Sequence, residues 1–364
     1  MNKSTIGFIG LGLIGGSIAR GLKRADSSTT IMAYMRTRSK LEQAKAEGTV
    51  DVILTGIDET LSRCDIIFLC TPVEFNASYL EKIRPYLKPG AIITDVGSTK
   101  TDIHETVIKM GMEDVFVGGH PMAGSEKTGY ENSTDHLLEN AYYIITPTKK
   151  STPDQIECLR GIALSIGALP LVLDYREHDF SVAAISHLPH LIASSLVTLV
   201  RDNDNKDEIM RRIAAGGFKD ITRIASSSPV MWEQICMTNT DNLKILLGRY
   251  IESLKTIYGQ LDRHDGPAIH RLFEESGAYR DTFSDTKRGP VIPDCSFSVD
   301  VVDEPGSIAI LSAILASRGI NVKNMGINHS REYGEGALRI SFYDEGSKTA
   351  AAEILKKYNY ILTR

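Results

Sequence analysis

Tryptophan, cysteine and an excess of either charge are what this sequence has least of. It holds one tryptophan, Trp232, and five cysteines, Cys64, Cys70, Cys158, Cys236 and Cys295, which are scattered, odd in number and without metal-type spacing. That pattern argues against a disulfide framework and a cysteine-built zinc site, and a reducing, cytoplasmic compartment is expected. Cys70 closes the apolar run Ile66-Ile67-Phe68-Leu69-Cys70 and reads as a small buried hydrophobe. With 41 Lys and Arg against 46 Asp and Glu, the formal net charge is −5, which offers nothing to nucleic acid or to a membrane surface. An anionic ligand must therefore meet positive groups placed locally. No apolar run approaches the length of a bilayer span, and no segment is of low complexity. The first strand-like run begins too close to Met1 for a signal peptide to precede it.

What is present is a chain of 364 residues, more than one hydrophobic core usually supports, so several domains are expected. Within 1–174, short apolar runs at 5–9, 31–34, 52–54, 66–70, 91–94, 115–117, 142–145 and 169–173 alternate with helical patterns. This alternation predicts an α/β, Rossmann-type doubly wound parallel sheet. Strand signals stop after Asp174, and 175–285 reads as helices at 178–202, 205–225, 229–262 and 265–283. So small a helical block buries itself poorly alone, so we read it as an all-helical substrate and dimerisation domain, with a homodimer expected. The segment 286–293 is a basic linker with two prolines and a glycine. From 294 to 364 the order is strand, helix, two strands, helix, strand, with a hairpin loop at 331–336, which is the ferredoxin-like βαββαβ unit.

The first strand runs into Gly10-Leu11-Gly12-Leu13-Ile14-Gly15, which opens a helix. In that context the first glycine permits the tight turn and the second lets backbone approach a pyrophosphate. The third allows close packing of helix on strand, while free N–H groups and the helix dipole face the phosphates. An NAD site usually has an acid at the end of the second strand, but Met35 stands there, followed by Arg36 and Arg38. Either arginine suits a 2′-phosphate, or both are solvated loop residues, so NAD and NADP stay open.

Three further strand ends carry polar or turn residues: Thr71-Pro72, the run from Asp95 through Ser98 to Lys100, and His120-Pro121. On such a sheet they converge on the nicotinamide end of the crevice. A neutral imidazole at His120 suits a reaction in which hydride leaves a carbon bearing a hydroxyl, because that hydroxyl then becomes acidic. Ser98 can hydrogen-bond the same hydroxyl, His120 or the cofactor amide. Lys100 reads as a solvated helix-start residue. In the helical block, His187 and His190 lie three apart on one helix face, and a metal site there lacks a third ligand. Gly216 and Gly217 interrupt the next helix, beyond which Lys219 and Arg223 are four apart and fit a substrate carboxylate. Trp232 either walls the pocket or fills the core.

Taken together, Gly-Leu-Gly-Leu-Ile-Gly-Gly-Ser at 10–17, Asp-Val-Gly-Ser-Thr-Lys at 95–100, Gly-Gly-His-Pro-Met-Ala-Gly-Ser-Glu at 118–126, Ser-His-Leu-Pro-His at 186–190 and Gly-Gly-Phe-Lys-Asp-Ile-Thr-Arg at 216–223 resemble the prephenate dehydrogenase family. The tail from 294 resembles an ACT domain. The resemblance implies oxidative decarboxylation of prephenate to 4-hydroxyphenylpyruvate with hydride transfer to NAD or NADP, on the route to tyrosine. It implies that His120 takes the ring hydroxyl's proton and that Ser98 positions that hydroxyl and the nicotinamide. His190 and Arg223 would engage the substrate, Lys219 would support Arg223, Gly216 and Trp232 would line the site, and Glu126 would stand at its mouth. Gly10, Gly12, Leu13, Ile14, Gly15, Arg36, Thr71 and Pro72 would hold the cofactor. In the tail, Asp303, Gly306 and Asn321 resemble positions that bind an amino-acid effector, for which tyrosine is the expectation. Rival readings are an arogenate or dual-specificity cyclohexadienyl dehydrogenase, and a non-catalytic dinucleotide and amino-acid sensor. A β-hydroxyacid dehydrogenase would want a lysine on the first helix after the sheet, where 176–201 has none.

Overall fold

The computed structural model describes residues 4–124, 127–285, 295–302, 304–330 and 335–363. The chain divides into two compact units, Met1–Ile269 and His270–Arg364.

The first unit is built on strands whose residues are apolar on both faces, as a sheet covered on both sides requires. β1 (Thr5–Ile9) is followed by α1 (Leu13–Ala25), β2 (Thr30–Tyr34), α2 (Arg38–Ala46), β3 (Val52–Ile53), β4 (Ile66–Leu69), α3 (Asn76–Ile83) and β5 (Ile92–Asp95). These strands form a parallel sheet in the order β3-β2-β1-β4-β5. The chain leaves β1 toward β2 on one side and reaches β4 on the other, so the switch point lies at the carboxyl ends of β1 and β4, where such sheets bind ligands. Phe8 and Phe68 stack across that pair with ring centroids 5.1 Å apart.

Beyond α4 (Thr101–Met110) come β6 (Val117–Pro121), β7 (Tyr142–Pro147), α5 (Pro153–Ser165) and β8 (Leu169–Val172). Here the structure departs from an all-parallel sheet. A single parallel bridge, Ile93 to Phe116, joins β5 to the run leading into β6, but β7 is antiparallel to β6 and parallel to β8. Among its described residues the connection between β6 and β7 has no α-helix, so the chain is free to return antiparallel. His120 consequently lies inside β6, one residue before its end, and not just beyond it.

The helical part comprises α6 (Tyr175–Val182), a π-turn (Ala183–His187), α7 (Leu188–Asn203), α8 (Ile209–Ile213), α9 (Gly216–Thr222), α10 (Pro229–Thr238), α11 (Thr240–Asp262) and α12 (Gly266–Asp285). Asp174 caps α6 through the N–H groups of Arg176 and Glu177, and Ser228 caps α10 with Pro229 in its first turn. Two expected helices are broken. Ala214 and Ala215 interrupt 205–225, and Asn239 parts α10 from α11. By length and composition, Tyr175–Asn203 suffices to cross a membrane, which the sequence reading missed, since histidine, serine and threonine weigh little against its leucines. His178, Asp179 and His187 of that run are nevertheless buried within the protein.

In the second unit, β9 (Ser296–Val302), α13 (Ser307–Ala316), β10 (Val322–Ser330), β11 (Glu335–Phe342), α14 (Glu345–Lys357) and β12 (Leu362–Thr363) form an antiparallel sheet in the order β10-β11-β9-β12. That is the split βαββαβ topology. The inward positions of β9, Phe297, Val299 and Val301, pack with Leu311, Leu315 and Leu355 of the two helices. The linker 286–293 and part of the hairpin loop lie outside the described residues.

Candidate active site

The motif after β1 is shaped as a dinucleotide cradle. Gly10 sits at φ +91°, and a Cβ there would meet the carbonyl oxygen of Cys70 at 2.6 Å. At Gly15 a Cβ would meet the Gly10 oxygen at 2.9 Å and the Cys70 side chain at 3.0 Å, so helix and strand touch there. A Cβ added at Gly12 would meet no atom of the described residues within 4 Å, and no side chain among them caps the helix that Leu13 and Ile14 begin. Open space at the middle glycine, with uncapped N–H groups, fits a pyrophosphate. Thr71 and Pro72 follow β4 beside it, with the Thr71 hydroxyl donating to Asn76 at 3.2 Å. Arg36 lies exposed over the Phe75 ring at 5.5 Å, whereas Arg38 is paired with Glu42 at 3.1 Å.

At the ends of β5 and β6 the structure gathers groups that the sequence reading passed over. Lys100 is not solvated: it is fully buried, paired with the equally buried Asp95, and its ammonium donates to the Gly119 oxygen at 2.8 Å. Burial pushes the Lys100 pKa down against the pull of Asp95. Asp95 also accepts from the N–H groups of Gly97 at 2.9 Å and Gly119 at 3.2 Å. One ion pair therefore ties the loop carrying Ser98 to the strand carrying His120. Ser98 itself is half-buried.

His120 is half-buried, and its Nδ1 lies 2.8 Å from Nε2 of His178, whose own Nδ1 lies 2.8 Å from Asp179 Oδ1. Asp179 further accepts from the N–H groups of Lys100 and Thr101, each at 2.7 Å, and so caps α4 from another helix. Burial alone would raise the Asp179 pKa. Hydrogen bonds from His178, Thr101 and Lys100 outweigh it and hold the carboxyl below its usual range. Burial, then the adjacent His178, Lys100 and His187, push His120 well below the ordinary histidine range, so the ring is neutral near pH 7. His178, Asp179, Asp95 and Lys100 were all missed as functional residues. The available signal was the adjacent His178-Asp179 pair at the start of the helical block.

Further along the same run, the His187 ring lies 3.2 Å from the Asn239 amide, and burial pushes its pKa down to about 4. His190 donates from Nδ1 to the Ser186 oxygen at 2.9 Å and stacks on Trp232 with centroids 3.6 Å apart. Its pKa is lowered by burial first, partly offset by that bond, and then by the charge of nearby Arg223. Trp232 thus packs against both histidine rings, and its indole N–H is buried with no partner among the described residues. Arg223 begins the turn that follows α9, and that turn packs on α7. Gly216 and Lys219 are exposed on α9. Among the described residues no group of three metal-ligating side chains gathers here. Glu126 and Asp303 lie outside the described residues, while Gly306 (φ +97°) and Asn321 are exposed at the start of α13 and before β10.

A dinucleotide cradle and a neutral imidazole on one edge of a Rossmann sheet define an oxidoreductase, with its remaining polar groups supplied by a helical domain. Residues 18–171 match the prephenate dehydrogenase nucleotide-binding domain, and 174–275 match the prephenate dehydrogenase dimerization domain. Prephenate dehydrogenase of Bacillus subtilis is 35% identical over 97% of this chain and 96% of its own length. Among solved structures, prephenate dehydrogenase from Aquifex aeolicus, in complex with hydroxyphenyl propionate and NAD+, is 28% identical with a TM-score of 0.73, covering 78% of this chain and 99% of that one. Arogenate dehydrogenase from Synechocystis is 32% identical with a TM-score of 0.70, covering 77% and 99%. The chain belongs to the prephenate dehydrogenase family.

Proposed function

We propose that this protein converts prephenate to 4-hydroxyphenylpyruvate by oxidative decarboxylation in the cytoplasm, serving tyrosine formation. The observation that carries the reading is the neutral, half-buried His120 near the carboxyl end of β6, the strand whose approach is bridged to the sheet that carries the dinucleotide cradle. Gly10, Gly12, Leu13, Ile14 and Gly15 hold the cofactor's phosphates, with Thr71 and Pro72 alongside. When bound, the dinucleotide supplies the hydride acceptor. As hydride leaves the ring carbon bearing the hydroxyl, His120 Nε2 takes the hydroxyl proton and Ser98 orients the oxygen. The bond to the ring carboxylate then breaks as carbon dioxide leaves, its electron pair flows through the ring to the oxygen, and His120 returns the proton there. The proton is therefore borrowed, not consumed. Arg223, with Lys219 in support, meets a substrate carboxylate, and His190 and the Trp232 N–H offer polar contacts. Gly216 lets backbone approach.

Steady-state rates with prephenate and arogenate, each with NAD and NADP, test the reading. Prephenate turnover supports it, turnover of arogenate alone moves the assignment to arogenate dehydrogenase, and no reduced cofactor with either leaves the sensor reading. His120→Asn lowers kcat far more than it raises KM, and Arg223→Ala mainly raises KM. Arg36, which among the described residues has no carboxylate pairing of the kind that occupies Arg38, is the residue proposed to meet a 2′-phosphate. Exposed apolar side chains on α7 and α11, among them Leu199, Ile245, Leu254, Tyr258 and Leu261, support a homodimer. The βαββαβ tail is proposed to act as an ACT domain binding an aromatic amino acid, tyrosine first, through Asp303, Gly306 and Asn321.

A further inference from the structure

We propose that His178, anchored by Asp179, is a positioning residue that locks His120 in the Nδ1–H tautomer, leaving a lone pair on Nε2 to meet the substrate hydroxyl. The argument is one of donors and acceptors. An ionised carboxylate only accepts, so in the 2.8 Å contact with Asp179 Oδ1 it is His178 Nδ1 that carries the hydrogen. Taken in its neutral, single-N–H form, His178 has only a lone pair on Nε2. In the 2.8 Å contact between the rings, His120 Nδ1 must then be the donor. Its other nitrogen is left as an acceptor, the form a proton-taking base requires. With the opposite tautomer, two lone pairs would face each other across 2.8 Å and the substrate hydroxyl would meet an N–H.

Rotation of Asp179 cannot undo the assignment, because both of its oxygens are already occupied by the Lys100 and Thr101 N–H groups at the start of α4. The rings meet edge to face, with planes at 76° and centroids 5.0 Å apart, so His178 also fixes the plane of His120. The logic is that of a base oriented by a third group, here with an imidazole inserted between carboxylate and base. When His120 takes the hydroxyl proton, the charged ring donates its Nδ1–H to His178 Nε2, and His178 is in turn held by the Asp179 carboxylate. The other ionisable groups around it are Lys100, Asp95 and His187.

This inference rests on the proposed reaction for its kinetic consequences, but not for its structural one. His178→Leu removes both hydrogen bonds, whereas His178→Gln keeps an acceptor for His120 and a donor for Asp179. The Leu variant is expected to lose on the order of 100-fold in kcat, the usual size of a general-base contribution, with KM within about threefold. The Gln variant should recover most of that loss. Nitrogen-15 spectra of labelled histidines, recorded without substrate, should show His120 as the Nδ1–H form in the wild-type protein and lose that preference in the Leu variant. Finding His120 as the Nε2–H form, or wild-type kcat in the Leu variant, overturns the proposal, as does equal impairment of the two variants. If the wild-type protein turns over neither prephenate nor arogenate, the reaction assignment fails while the spectra still decide the tautomer.

Discussion

Lys100→Met isolates the ion pair that joins the loop after β5 to β6. The methionine stem has nearly the volume of the lysine stem, so the main loss is the ammonium. What remains is a carboxylate at Asp95 with no exposure to solvent. Breaking a buried pair by deleting one partner costs about 3–5 kcal/mol. Asp95 keeps the N–H groups of Gly97 and Gly119, so the expected loss is at the lower end, about 3 kcal/mol. With a urea slope of about 3 kcal/mol per molar, the midpoint falls by about 1 M. Fluorescence of Trp232, the single tryptophan and a member of the same compact unit, reports the transition. A second variant, Asp95→Asn with Lys100→Met, removes the stranded charge while keeping an acceptor for one of the two N–H groups, and it should regain part of the loss. A single-variant loss below about 1 kcal/mol, or a double variant as unstable as the single, would refute the account of Asp95 as a charge held in place by Lys100.

The two outer predictions concern the cradle and acid. Gly12→Ala leaves thermal stability unchanged, since a Cβ there meets nothing within 4 Å, but weakens dinucleotide binding at least about tenfold by isothermal titration. Gly15→Ala lowers the melting temperature as well, because its Cβ presses on Gly10 and Cys70; equal melting for the two variants contradicts the contrast. His104 and His187 both have pKa values pushed down to about 4, first by burial, so the unfolded chain binds protons that the folded one refuses. Their contribution is complete above the unfolded pKa of about 6.5 and drains away as pH falls toward the folded values, costing about 2 kcal/mol each at pH 5. Urea midpoints that match at pH 7.5 and pH 5 would contradict this.

Most of the Rossmann half was legible because its signals are local. Gly10, Gly12 and Gly15 act within a few residues of one another, and β1 and β4 are apolar throughout because both faces are covered. The direction of β7 was not legible, since 142–145 reads the same whichever way the strand lies beside β6. Lys100 was misread for a related reason. Nothing local distinguishes an exposed lysine at a helix start from one buried among strand ends, and Gly119, its second partner, is nineteen residues away. The His178 contact spans 58 positions, and only folding brings that ring against His120. His190, Arg223 and Trp232 were all named from the sequence as candidates, yet the stacking that joins two of them depends on the turn of the helix before them.

That turn has a consequence for how the enzyme can vary. The π-turn at Ala183–His187 widens one coil of the run Tyr175–Asn203, and such a bulge rotates everything after it by about one residue, roughly 100°. Deleting one residue there would restore regular winding and swing His190 off the Trp232 ring. It would also turn Val197 and Leu199, exposed on the outer surface, to a new bearing. Interior histidines and exterior leucines are thus geared to a single shaft, so neither the pocket nor the outer stripe of α7 can be re-aimed while the other stays put.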